Sequence, residues 1–252
     1  MAKRATSAGT AVKAAAKPKA ATAKMTTRPG PRKGSKGLPA PDVAEIFARF
    51  EARNPEPKGE LEHVNPYTLL VAVVLSAQST DAGVNKATRP LFKVADTPQK
   101  MIALGEEGVR EYIKTIGLFR NKAKNVILLS QRLLDEHGGE VPDNLDALVA
   151  LPGVGRKTAN VVLNMAFGRS TMAVDTHVFR VSHRLRLARG ASPEDVEHEL
   201  MAIVPAPYLY HAHHWLILHG RYTCLARAPK CGECPVAELC FSPDKRLPDR
   251  TT

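Results

Sequence analysis

From Leu38 onward the apolar residues fall at helical spacing. Val43, Ile46, Phe47 and Phe50 stand at i, i+3, i+4 and i+7, on a helix predicted to start near Pro41. Pro66 suits the first turn of a second helix that runs through Leu75 to Gln78. Shorter helices are predicted over Asp81–Lys93, Pro98–Leu104 and Glu107–Ile116. A long amphipathic one over Asn121–His137 is stopped by Gly138-Gly139. Asn144–Leu151, a glycine-containing turn and Arg156–Phe167 follow. Asp175 then caps a helix reaching Leu187, Ser192 starts another with Glu194 and Asp195 in its first turn, and Pro207–Arg221 leads into a cysteine-rich loop. No stretch alternates with period two and no repeat recurs at a fixed spacing, so the predicted class is all-α. The Arg169-Ser170 region, between two strong helices, reads as a crossing between domains.

The longest strongly apolar run, Leu69–Leu75, is too short to span a bilayer, so no membrane role is expected. The formal charge of +11 is unevenly placed: ten of the 36 basic residues lie in residues 1–37 with no acid among them, leaving 26 bases against 25 acids in the rest. Residues 1–37 also lack Leu, Ile, Phe, Tyr and Trp. Such a segment buries too little apolar surface to offset its ordering entropy, so it is predicted to be a disordered basic tail. A secretory signal is excluded because Lys13 interrupts the only apolar stretch, and the excess of Lys over Arg and the missing apolar face argue against a transit peptide. The preferred reading is a polycationic arm attracted to phosphates; the plainer one is a solubilising extension.

Three motifs carry chemistry. In Leu151-Pro152-Gly153-Val154-Gly155-Arg156-Lys157-Thr158-Ala159-Asn160 two helices flank a tight turn that opens backbone N–H groups at a helix start. Such a helix-hairpin-helix suits a DNA phosphate and reads backbone rather than bases; the plainer reading is an ordinary glycine-turn hairpin. Gly153, Val154, Gly155 and Arg156 are therefore candidate DNA contacts. Lys157, in the first helical turn, is either one more phosphate contact or a nucleophile, because a helix N-terminus favours the neutral amine that can attack a sugar C1′. Ala173-Val174-Asp175-Thr176-His177-Val178-Phe179-Arg180 follows. Asp175 is a natural N-cap; facing Lys157, it would also take up a proton or stabilise positive charge on the sugar. His177 reads as a structural or phosphate contact rather than a base. Cys224, Cys231, Cys234 and Cys240 make Cys-x6-Cys-x2-Cys-x5-Cys, a set that suits zinc and iron–sulfur about equally by spacing. Arg227 and Lys230 in the same loop are candidate backbone contacts, and His211, His213, His214 and His219 are assigned to packing rather than to metal.

Together with Leu75–Asp81, Tyr112–Leu118 and His213–Cys224, these strings resemble the endonuclease III family of helix-hairpin-helix DNA glycosylases, from about Pro41 to Leu247. The resemblance implies two helical domains. Residues 62–169 would form a six-helix barrel ending in the helix-hairpin-helix at about 143–167. Residues 38–61 plus 170–252 would hold a [4Fe–4S] cluster. It implies a cleft between them in which Lys157 is the Schiff-base lysine and Asp175 the catalytic aspartate, with the four cysteines as cluster ligands, which favours iron. Gln78 and Leu118 match residues that fill the gap left by an extruded base, and Phe119 stands where the family often has tyrosine. The expected activity is bifunctional: excision of damaged pyrimidines from double-stranded DNA, then nicking of the abasic site by β-elimination. The enzyme would act as a monomer in the bacterial cytoplasm, at the nucleoid. One alternative is a monofunctional mismatch glycosylase. Against it, both mismatch types usually lack lysine at the position of Lys157, and the adenine-specific ones carry an additional C-terminal domain beyond a point matching Cys240. The other is a non-catalytic DNA-binding or redox-sensing protein, which would need neither Lys157 nor Asp175.

Overall fold

The computed structural model describes residues 37–246, so the expectation of a disordered tail falls almost wholly outside the described residues. Ten α-helices follow one another among the described residues: α1 Ala40–Arg53, α2 Pro66–Ser76, α3 Asp81–Val94, α4 Pro98–Ile113, α5 Phe119–His137, α6 Leu145–Val149, α7 Arg156–Phe167, α8 Thr176–Arg184, α9 Pro193–Ile203 and α10 Leu209–Tyr222. No strand occurs among the described residues, and no helix there is long and apolar enough to cross a membrane. The helix starts are chemically marked. Asn65 and Thr68 form a reciprocal capping box before α2, as do Ser192 and Asp195 before α9.

Two hydrophobic cores hold the chain. In the first, α2 contributes Tyr67 and every residue from Leu69 to Leu75, because that helix is buried on all faces and packs against α3, α5 and α7. The second joins Val43, Ile46, Phe47 and Phe50 of α1 to residues from Met172 to Leu239. The first helix thus skips the chain that follows it and packs on the C-terminal third. Phe47 is fully buried, with its ring centroid 6.1 Å from those of Phe50 and Tyr208 and 6.3 Å from that of Trp215. Truncation of such a residue to Ala costs about 3–5 kcal/mol. Trp215 Nε1 donates to Asn54 O at 2.8 Å, fixing the end of α1 to α10. The switch between cores comes after Leu163 and before Met172, around the predicted crossing at Arg169-Ser170.

Several predicted boundaries shift for local reasons. The two short helices expected over 98–116 are both present within α4, meeting at a kink at Gly105 (φ 74°, ψ 167°), and only the end of the second moves, to Ile113. The helix after Asp175 stops at Arg184 rather than Leu187, because Arg186 turns to φ 57° and Leu187 N reaches back to Ser182 O. Pro207 lies in a 3₁₀ turn, Ala206–Tyr208, and the α-helix begins only at Leu209.

Candidate active site

The hairpin turn lies between α6 and α7. Gly153 takes φ +79°, and a Cβ there would lie 2.8 Å from Asn125 Nδ2, so both conformation and space require glycine. Val154 puts its side chain in the first core and donates its N–H to Leu151 O at 3.1 Å. The expectation that Val154 contacts DNA is corrected accordingly, since neither group is open to a phosphate. Gly155 is the N-cap of α7 and accepts no side-chain cap, leaving the first-turn N–H groups without intrahelical partners. Arg156 is turned away from the turn: Nε and Nη2 grip the two carboxylate oxygens of Glu197 at 3.0 and 2.9 Å, and Glu194 stands at 3.6 Å. Side-chain hydrogen bonding to Glu197 holds its pKa above the usual guanidinium value. This pair ties α7, of the first core, to α9, of the second.

Lys157 follows at the start of α7, exposed into a cleft. That cleft is lined by Ser76, Ser79, Asp81, Lys157, Asp175, Thr176, His177, Arg221 and their neighbours, so Lys157 and Asp175 face one space of about 1220 Å³ including its open mouth. Asp175 is the N-cap of α8. Its Oδ1 accepts from His177 N at 2.9 Å and Val178 N at 2.8 Å, which aims the carboxylate and leaves Oδ2 without a hydrogen bond. His177 Nδ1 accepts from Arg180 Nη2 at 3.3 Å, and the same Nη2 donates to Gly220 O at 2.9 Å and Cys224 O at 3.1 Å. His177 is thus at the cleft wall and buttressed by a cation. Arg221, which the sequence did not single out, bonds Glu60 and Asp81 at the cleft's edge and ties the segment after α1 to α3 and α10. A half-buried Arg beside two acids would have needed a fold to find.

Gln78 and Leu118 occupy two turns, one before α3 and one before α5. Both side chains are exposed, Leu118 at 56 %, and both backbones are left-handed, at φ 54° and 57°. The turns touch: a Cβ at Gly117 would stand 3.5 Å from Gln78 O, and Lys122 Nζ, from α5, donates to Ser79 Oγ at 2.8 Å. A non-glycine residue in that conformation costs about 1–2 kcal/mol, so two adjacent exposed side chains sit on strained backbone.

The four cysteines line one cavity with Leu185, His219, Thr223 and Lys230. Burial pushes the Cys234 thiol up to about 11 and raises Cys240, with the other three sulfurs adding repulsion at Cys234. Among the described residues no three Cys, His, Asp or Glu converge tightly enough to hold a single metal ion. Four thiols lining one cavity form the all-thiolate donor set that an iron–sulfur group takes. Arg184 clasps the loop, donating from Nη1 to Leu225 O at 2.6 Å and to Cys224 Sγ at 3.5 Å, and from Nη2 to Ala226 O at 2.9 Å. Arg227 and Lys230 stay exposed beyond it, with no ion pair among the described residues.

Comparison with known proteins follows the same lines. Residues 71–206 match the HhH-GPD superfamily of base excision DNA repair proteins, and residues 224–240 match the iron–sulfur binding domain of endonuclease III. The chain is 59 % identical over 198 residues to endonuclease III of Rickettsia conorii, covering 79 % of this chain and 94 % of that one. To endonuclease III of Escherichia coli strain K12 it is 56 % identical over 201 residues, covering 80 % and 95 %. Among solved structures it is similar to a trapped endonuclease III–DNA covalent intermediate (TM-score 0.76, 47 % identity, 81 % of this chain and 96 % of that one). It is also similar to a thermostable thymine-DNA glycosylase (TM-score 0.68, 25 % identity, 79 % and 93 %).

Proposed function

Because the chain belongs to the endonuclease III family of base excision DNA repair glycosylase/lyases and has that family's iron–sulfur motif, we propose that Lys157 is its nucleophile and Asp175 the carboxylate that works with it. The substrate is double-stranded DNA carrying a damaged pyrimidine, and the protein acts as a monomer in the compartment that holds the chromosome. The observation carrying this reading is the shared cleft: Lys157 from α7 of one core and Asp175 from α8 of the other face the same space. The two cores support a division into a helical domain over 62–169 and a second domain built from 38–61 plus 170–252.

The open N–H groups at the start of α7 bind a phosphate through hydrogen bonds and the helix dipole. His177, Arg227 and Lys230 add contacts along the backbone. Gln78 and Leu118 enter the duplex and fill the gap when the lesion swings out; a poorly stacked damaged base costs less to extrude. The Lys157 lone pair attacks C1′ and the C1′–N bond to the base breaks, its electron pair leaving with the base. The free Oδ2 of Asp175 stabilises the positive charge that develops on the sugar and accepts a proton from the amine. Asp175 then gives that proton to O4′ as the C1′–O4′ bond breaks, which opens the sugar and leaves a protonated imine to Lys157 that acidifies C2′–H. Loss of that proton expels the 3′ phosphate and breaks the strand on the 3′ side of the abasic site. Cys224, Cys231, Cys234 and Cys240 hold the [4Fe–4S] cluster, which supplies a rigid cross-link for the loop bearing Arg227 and Lys230.

Borohydride added during turnover is expected to trap a covalent protein–DNA adduct with the sugar on Lys157, and Lys157→Gln is expected to abolish both the adduct and the nicking of abasic DNA. Nicking at the parent rate by Lys157→Gln would refute the assignment.

A further inference from the structure

We propose that Lys122 is a positioning residue: its buried ammonium pins the turn bearing Gln78 to the helix that starts from Leu118, so that the two side chains enter the duplex as one preformed wedge. The inference rests on the reading that Gln78 and Leu118 fill the gap left by the lesion. Their turns come from separate helix junctions, α2 to α3 and α4 to α5. Among the described residues, the bond from Lys122 Nζ to Ser79 Oγ at 2.8 Å is the one side-chain hydrogen bond that joins them. Lys122 lies one helical turn beyond Leu118 and donates its backbone N–H to Leu118 O at 3.0 Å, so the ammonium is fixed relative to that turn. Ser79 directly follows Gln78, donates its own N–H to Ser76 O at 3.0 Å and lines the cleft of Lys157 and Asp175. The strut therefore runs from Leu118 through Lys122 and Ser79 to Gln78, and it ends on the wall of the catalytic cleft.

Such a strut is a costly way to join two turns. Lys122 is 5 % exposed, and its ammonium has the Ser79 hydroxyl as partner but no carboxylate among the described residues. Burial alone holds its pKa below the ordinary lysine value. A charge taken out of water without a counter-charge lowers stability, and an apolar side chain of similar length would serve the core better. The left-handed backbone at Gln78 and Leu118, with φ 54° and 57°, adds a second cost at the same place. Strain and an uncompensated charge held together motivate a role outside folding. That role is preorganisation. Two loose turns would have to order on the DNA, whereas a pinned pair has met that entropy cost before the duplex arrives.

The test mixes the intact, cluster-loaded protein with a duplex in which a fluorescent adenine analogue stands opposite an oxidised pyrimidine. Its emission rises as the wedge separates it from its partner and neighbours. Lys122→Met keeps the length and apolar stem of the side chain but removes the charge and the donor. It is expected to slow both the rise and the excision of the paired lesion about tenfold or more, the factor that a hydrogen bond to a charged group is worth. Its thermal midpoint is expected at or above the parent's, because a buried charge is gone. Excision of the same lesion opposite an abasic site, where no pairing has to be broken, stays within about twofold of the parent. Ser79→Ala removes the acceptor instead and is expected to slow the rise in the same direction. The double variant is expected to be no slower than Lys122→Met, since one bond is lost either way. If Lys122→Met does not fold, Ser79→Ala carries the test alone. A rise at the parent's rate in both single variants overturns the proposal. So does an equal fall on paired and unpaired lesions, or a fall with a lower thermal midpoint, since Lys122 then supports the fold at large. Failure of the gap-filling reading shows separately, as a rise at the parent's rate in Gln78→Ala and Leu118→Ala, and that result overturns both.

Discussion

Arg156→Ala tests whether the arginine beside the catalytic lysine serves the fold or the DNA. Its guanidinium makes a two-point contact with Glu197, a carboxylate only 9 % exposed on another helix. Removing one partner of a fully buried ion pair costs about 3–5 kcal/mol, whereas an exposed pair is worth about 0–1 kcal/mol. The Arg156 side chain is 38 % exposed and that of Glu197 12 %, so the Coulomb part is screened on one side. The expected loss is about 2 kcal/mol, between those limits. For a fold of this size that lowers the thermal midpoint by about 4–8 °C. Glu197→Leu in the same chain is expected to restore most of it, because the penalty is an uncompensated carboxylate rather than a missing attraction. The assay is thermal unfolding of the parent, both single variants and the double variant, alongside DNA binding at several salt concentrations. An unmoved midpoint, combined with a log-affinity against log-salt slope shallower by about one, would refute the reasoning and make Arg156 a phosphate ligand.

Two further outcomes follow from the same geometry. Asp175→Ala removes the cap of α8 and is expected to cost about 1 kcal/mol, whereas Asp175→Asn keeps an acceptor for His177 N and Val178 N and leaves stability nearly unchanged. Both are expected to slow excision by about a hundredfold or more, measured in single turnover, and an Asn variant cutting at the parent rate would remove Asp175 from the chemistry. Acid is expected to unfold the protein early. Burial lowers the pKa of His213 to about 3 and that of His214 to about 4, so the unfolded chain binds more protons below about pH 6.5. Stability is then complete above that pH and falls between about 6.5 and 4.5 by up to about 3 kcal/mol per unit, two protons' worth, before the carboxylates titrate. Unfolding midpoints unchanged from pH 7 to pH 5 would contradict this.

The helices were legible because their signals are local. Asn65, Thr80, Thr97, Asn144, Asp175 and Ser192 each accept a backbone N–H at a helix start. The glycine turn of Leu151–Asn160, the Asp175 cap and the cysteine spacing were likewise readable along the chain. Partnerships between distant residues were not. Nothing near Arg156 says that its partner lies 41 positions away, or that Arg221 reaches Glu60 across 161. A basic residue in a DNA-binding motif reads as a phosphate contact until the fold supplies a closer acid. Val154 misleads for a similar reason: between two glycines it looks exposed, yet the turn folds it inward. His213 and His214 were assigned to packing on the strength of an apolar helix, and their burial agrees.

The packing of α1 bears on how the protein is made. Its apolar face, Val43, Ile46, Phe47 and Phe50, finds cover only in residues from Met172 onward, and the bond from Trp215 to Asn54 spans 161 positions. At a synthesis rate of about 5–20 residues per second, the helix leaves the ribosome roughly 10–30 s before its partners exist. The first core, spanning Tyr67 to Leu163, needs nothing from either end and can condense in that interval. During translation α1 is therefore a greasy leader waiting on a finished neighbour, and a chaperone that masks those four side chains would govern the yield of active enzyme.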